Sequence, residues 1–134
     1  MVINNVWIPD VRIARLVLVV EDEPALRTIY EQILGSAGYE VLQAADGEEA
    51  LAILADTAPE IVVLDMLLPK VDGGRVLEYV RNAPHLNHTG IVIATAHDRF
   101  RYAEHVSAHD RFLLKPIRPQ ELLNAASQAV LGWE

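Results

Sequence analysis

Short apolar runs rich in β-branched residues alternate about five times along the chain with stretches whose apolar positions recur every three or four residues. The runs Leu16–Val20, Val41–Ala44, Ile61–Leu64, Ile91–Thr95 and Phe112–Leu114 are predicted to be strands, most of them buried on both faces. Between the first two, Leu26, Ile29, Tyr30, Ile33 and Leu34 follow helical spacing, and Gly38 supplies a stop. Asp46, with Glu49 three residues on, forms a capping-box-like start for a second helix through Leu54. Asp72 opens a third, with Val76, Leu77 and Val80 inward; Asp98 is expected to cap a fourth, although its content, RFRYAEHVSAHD, is polar and poorly amphipathic. A fifth runs from about Pro119 to Val130.

Five strands each followed by a helix predict an α/β fold with a doubly wound parallel sheet, because parallel neighbours need crossover connections and these are right-handed. No repeat, low-complexity tract or linker breaks the pattern. In such sheets ligands bind beyond the carboxyl ends of the strands, where the winding changes direction.

Composition narrows the function classes. A chain of 134 residues, 51% apolar, holds one core, and its apolar runs are far shorter than the roughly 18 residues of a membrane span. The absence of cysteine excludes disulfide and thiolate chemistry. The first fourteen residues, MVINNVWIPDVRIA, show no secretory signal, so the cytoplasm is the expected compartment. A formal charge of −8 argues against direct nucleic-acid binding and for partners that bring positive charge or a divalent metal. Val6, Trp7, Ile8 and Pro9 are too apolar for a purely solvated tail, and Trp7 is expected to pack.

Chemistry concentrates at the predicted strand ends. The first strand ends in Glu21-Asp22-Glu23, the third in Asp65, the fourth in Thr95 and the fifth in Lys115-Pro116. If these strands are neighbours, several carboxylates, a hydroxyl and an ammonium meet on one edge. Clustered carboxylates raise one another's pKa unless a hard divalent cation accepts their oxygens, and magnesium typically shares such a site with a phosphoryl group. An aspartate so placed can act as a nucleophile toward phosphorus.

VLVVEDEP, IVVLDMLLPKVDGG, VIATA and FLLKPI, in that order, resemble the receiver domain of two-component response regulators, over roughly residues 15–131. The resemblance implies a CheY-like, flavodoxin-like sheet of strand order 2-1-3-4-5 with five flanking helices. It makes residues 15–134 a receiver domain behind an N-terminal extension, residues 1–14. By position, Asp65 matches the phosphoacceptor, Asp22 the direct Mg²⁺ ligand, Glu21 its partner, and the Leu67 backbone carbonyl a further ligand. Thr95 and Lys115 match the hydroxyl and ammonium that meet the phosphoryl group, Phe112 the aromatic switch, and Pro116 a proline that is usually cis. The implied partners are a histidine kinase or phosphotransfer protein and a downstream target on helix 4, strand 5 and helix 5, with homodimerisation open. Arg101 and His105 are where partner specificity is expected.

Some positions depart from the pattern. Ser107-Ala108 replaces a common Gly-Ala pair, while Leu67 and His97 stand where the lifetime of the phosphoryl group is set. Other readings fit less well. A flavodoxin-type carrier would need a first loop that cradles phosphate, which Glu21, Asp22 and Glu23 would repel. An aspartate-dependent phosphatase usually places a second aspartate where Leu67 stands. A receiver cut from a longer regulator or hybrid kinase, and a phosphorylation-independent scaffold, remain alternatives. The histidine pairs 85/88 and 105/109 lack a third ligand and read as surface groups, and Asn87-His88-Thr89 as an idle glycosylation acceptor.

Overall fold

A computed structural model describes residues 2–7 and 15–131. Two short strands, β1 (Val2–Ile3) and β2 (Val6–Trp7), pair antiparallel around Asn4 and Asn5, both with positive φ. Asparagine tolerates that conformation, which a two-residue hairpin demands. The expected packing of the Trp7 side chain lies outside the described residues, as do residues 8–14.

The remainder alternates strand and helix: β3 (Leu16–Val20), α1 (Pro24–Ser36), β4 (Glu40–Ala44), α2 (Gly47–Asp56), β5 (Ile61–Leu64), α3 (Gly73–Asn82), β6 (Gly90–Thr95), β7 (Arg111–Leu114) and α4 (Pro119–Leu131). All five sheet strands are parallel in the order β4-β3-β5-β6-β7, which is the expected 2-1-3-4-5 counted within this sheet. The most apolar runs occupy the middle: β5 and β6 are buried throughout, whereas the edge strand β4 carries exposed Glu40 and Gln43.

Side chains alternate across the sheet, so each strand feeds two cores. Val17, Val19, Ile61, Val63, Val92 and Ala94 pack beneath α1 and α4, with Tyr30, Leu34, Leu122 and Ala126. Leu18, Val20, Val62, Leu64, Ile91 and Ile93 face α2 and α3, with Leu54, Val76 and Leu77. The helix starts follow the expected chemistry. Asp46 accepts from Glu49 N–H (2.8 Å) while the Glu49 carboxylate accepts from Ala45 N–H (2.5 Å), and Asp72 accepts from Arg75 N–H (3.0 Å). Ile29, although in phase with the α1 stripe, is 46% exposed. Thr89 is buried, and its hydroxyl donates to the Pro59 carbonyl at 2.7 Å, a structural role for the last residue of Asn87-His88-Thr89.

The fourth helix is the correction. Asp98–Tyr102 forms only a 3-10 turn, without a side-chain cap, and no α-helix spans Asp98 to Asp110. Four α-helices therefore flank the sheet among the described residues, not five. Its apolar contacts are few, with Phe100, Ala103 and Val106 packing half-buried on the core, and side-chain bonds hold the rest of this polar segment. Arg81 on α3 reaches across to donate to the His105 carbonyl (3.2 Å) and pairs with Asp110, whose side chain is only 3% exposed. Asp110 also accepts from Ser107 N–H at 2.8 Å, folding Ser107 to Asp110 into a turn, and His105 takes a positive φ.

Arg81→Met should leave the buried Asp110 carboxylate with its Ser107 donor but no cation. Loss of a hydrogen bond to a charged group is worth about 2 kcal/mol, so the urea midpoint should fall accordingly at constant m-value. A midpoint equal to that of the wild type would show that the pairing contributes nothing to stability.

Candidate functional site

The sheet ladder itself delivers the candidate side chains. Just past the strand ends, Glu21 N–H donates to Ala44 O (3.1 Å), Asp65 N–H to Val20 O (3.1 Å) and Lys115 N–H to Thr95 O (2.8 Å). Each backbone is thus fixed at the same level of the sheet, at the edge where β3 turns one way to β4 and its other neighbour is β5. Glu21 and Asp65 are buried and Asp22 is exposed, with one oxygen from each within 4.8 Å of the others. Among the described residues this is the one such group of three acidic or ligating side chains.

Lys115 holds the cluster together. Its Nζ donates to Asp65 Oδ2 at 2.8 Å and also to Glu21 Oε1, bridging two carboxylates that would otherwise face each other out of water. Their other oxygens are used as well: Glu21 Oε2 accepts from Glu23 N–H and Asp65 Oδ1 from Leu67 N–H, both at 3.2 Å. Burial pushes the Glu21 carboxyl above its ordinary 4.5, against the lowering effect of Lys115. Burial works to lower the Lys115 ammonium, but its bonds to Asp65 and Glu21 outweigh that and carry it to about 12. On the α1 side, burial pushes the Tyr30 phenol up to about 12; it lies within Coulomb reach of Lys115, Glu21 and Asp65. Hard carboxylate oxygens meeting at a partly exposed mouth are the donor set that Mg²⁺ or Ca²⁺ takes.

The loop after Asp65 is seated by close backbone approaches. A Cβ on Gly73 would lie 2.5 Å from Asp65 O, and one on Gly47 only 1.8 Å from Val71 O, so glycine alone lets α3 and α2 come this near. Lys70, at φ 65°, pairs with Asp46 at 3.4 Å across the same gap. Leu67 lies in this loop with its side chain 52% exposed.

The remaining expected residues lie beside the cluster. Thr95 is fully buried, and its Oγ1 accepts from His97 N–H at 3.4 Å. Phe112, half-buried on β7, faces the Asp98–Tyr102 turn, with the Arg101 guanidinium carbon 4.3 Å from its ring centroid. The Lys115-Pro116 bond is cis. Two sets of contacts carried no sequence signal. Arg27 on α1 donates to the Glu21 carbonyl (2.8 Å) and Gln43 (3.1 Å), and Asp46 with Lys70 braces the loop. Each depends on contacts between elements that no local pattern encodes.

A family model described as response regulator receiver domain matches residues 17–127. Among curated relatives, the "Probable transcriptional regulator ycf27" of Porphyridium aerugineum is 39% identical over 110 residues, 79% of this chain and 44% of that protein. Protein PilG of Pseudomonas aeruginosa is 31% identical over 111 residues, 81% of this chain and 82% of that protein. The chain spans less than half the length of the ycf27 relatives it matches. Among solved structures, the response regulator TrrA of Thermotoga maritima in complex with Mg²⁺-BeF has a TM-score of 0.78 and 29% identity, covering 86% of this chain and 98% of that one. The chain belongs to the family of response regulator receiver domains.

Proposed function

We propose that the protein is a phosphorylation-dependent switch in which Asp65 accepts a phosphoryl group from a phosphohistidine of a histidine kinase or phosphotransfer protein. The observation that carries this reading is the meeting of Glu21, Asp22 and Asp65 within 4.8 Å, with Lys115 bridging two of them. In this reading, residues 15–134 are the receiver and residues 1–14 an extension. Glu21, Asp22, Asp65 and the Leu67 carbonyl would hold Mg²⁺, the ion of the TrrA complex. Magnesium, when bound, supplies the charge that screens an incoming phosphoryl group from the acidic cluster.

The chain's own groups do the rest. An Asp65 oxygen attacks phosphorus in line with the departing imidazole nitrogen, and the P–N bond breaks. The ammonium of Lys115 stays charged throughout the physiological range and is placed to pair with the phosphoryl oxygens. Thr95 exchanges its long 3.4 Å bond from His97 for a donor bond to the new phosphoryl group. That movement opens space into which Phe112 turns, changing the surface formed by the Asp98–Tyr102 turn, β7 and α4 for a protein target or a second copy. The role is cytoplasmic signalling, not metabolic turnover. Coverage of under half of the ycf27 relatives favours, as a second reading, the same switch working within a longer regulator or hybrid kinase.

Incubation with acetyl phosphate and Mg²⁺ should add one phosphoryl group by intact mass, abolished in Asp65→Asn and by EDTA. A folded wild type that stays unmodified with several donors, at short times, would instead support a phosphorylation-independent scaffold.

Lys115→Met supplies a test that needs no donor. Removing the ammonium leaves Glu21 and Asp65 uncompensated, so in EDTA the variant should lose about 1–3 kcal/mol of stability, of which added Mg²⁺ recovers part. The sign with pH follows from Glu21. Burial raises the Glu21 carboxyl and Lys115 lowers it, so without Lys115 that carboxyl is raised further in the fold than in the wild type and gains more from protonation, and the variant's deficit should shrink as pH falls toward 4.5. A deficit that grew on acidification would refute this account of the cluster.

A further inference from the structure

The two side chains that must move in the proposed switch are held by opposite ends of one short segment. At its start, His97 N–H donates to Thr95 Oγ1 at 3.4 Å. At its end, Arg101 lies over the Phe112 ring, Cζ 4.3 Å from the centroid, inside the distance at which a cation is drawn to the negative face of an aromatic ring. Between them, the His97 and Phe100 rings meet edge to face at 6.1 Å.

The guanidinium is not left to wander. Asp98 Oδ1 accepts from both Arg101 Nε (3.2 Å) and Nη2 (3.1 Å), one turn back in the same 3-10 turn. Fixing a flexible cation in place lowers the entropy lost on stacking, so the contact is worth more than a free surface arginine could give. Phe112 offers no hydroxyl through which its position could be held, and the arginine stack is the polar contact its ring can make.

We infer that Arg101 is a positioning residue for Phe112: its guanidinium, oriented by Asp98, holds the ring at the half-buried site, and inward rotation requires that stack to be given up. The segment from His97 to Arg101 thereby couples Thr95 to Phe112, since the hydroxyl's departure frees the first anchor while the ring's rotation frees the last. This rests on the switch reading for its consequence but not for its geometry. Without Arg101, the inward state of Phe112 gains population even before phosphorylation.

The chain contains two phenylalanines, so labelling with 4-fluorophenylalanine gives two ¹⁹F lines, assigned with Phe100→Leu. The quantity to read is the change in the Phe112 line between H₂O and D₂O, which reports exposure of the ring. Arg101→Leu alone would uncover the ring and raise that isotope shift; inward rotation lowers it. In donor-free protein it should therefore fall in Arg101→Leu, and fall less in Asp98→Asn and in Arg101→Lys, which keeps the charge but not the two donors that Asp98 orients. Acetyl phosphate should then label Arg101→Leu several-fold faster than wild type. An isotope shift that rises or stays unchanged in Arg101→Leu, with a wild-type urea midpoint, would overturn the inference. Wild type that shows no Phe112 response to Mg²⁺ with beryllofluoride, and takes no phosphoryl group, would overturn the switch reading instead, while the donor-free comparison still decides the role of Arg101.

Discussion

Two buried carboxylates and one ammonium set the terms for the rest of this molecule. Glu21 and Asp65 project from adjacent strands into the same space, and left alone each would carry the desolvation cost of an unpaired charge. Lys115 offsets that cost from the end of a third strand. The arrangement requires β3, β5 and β7 to end at one level, which explains the backbone bonds just beyond the strands. It also explains why the middle strands carry no charge along their length: the charged residues are displaced to the strand ends, with only the Thr95 hydroxyl inside β6.

Around this cluster the two flanks differ in how they are held. The loop after Asp65 is wedged by direct backbone approach at Gly47 and Gly73 and by the Lys70–Asp46 pair, leaving little room for adjustment. The segment between β6 and β7 packs Phe100, Ala103 and Val106 half-buried on the core and is otherwise fastened by single contacts: the His97 N–H on the Thr95 side chain and Arg101 over Phe112 near one end, Arg81 with Asp110 at the other. Side-chain pins can be exchanged one at a time, whereas a packed helix moves as a unit. A stiff floor under Asp65 and an adjustable wall beside it suit the proposed switch, in which a local change at the cluster is felt at the surface.

The sheet strands and four helices can be read from the chain because their signals are local: β-branched runs for Leu16–Val20 and Ile61–Leu64, a helical stripe through Tyr30 and Leu34, caps at Asp46 and Asp72, and a proline start at Pro119. The site is readable for a related reason, since each candidate lies at or just after a strand end and the topology brings strand ends together. The sequence around Asp98 misleads because a capping residue is present but the apolar period that stabilises a helix is not. Arg81–Asp110, Arg27–Glu21 and Lys70–Asp46 are invisible for the opposite reason. They join residues whose proximity exists only once the sheet and helices are in place. The Asn4-Asn5 hairpin does carry a local signal, in the tolerance of asparagine for positive φ, but the apolar stretches on either side are too short to read as strands.

Tyr30 adds a consequence on the far side of the sheet. It is buried beneath α1, away from the Arg101 and Phe112 face, yet its phenol lies in the field of Lys115, Glu21 and Asp65. A phenol in a low-dielectric setting changes its near-ultraviolet absorption when charge is added nearby. Charge gained at the strand ends would thus act on both helical layers at once, on one through the Asp98–Tyr102 turn and on the other through the surroundings of the Tyr30 phenol.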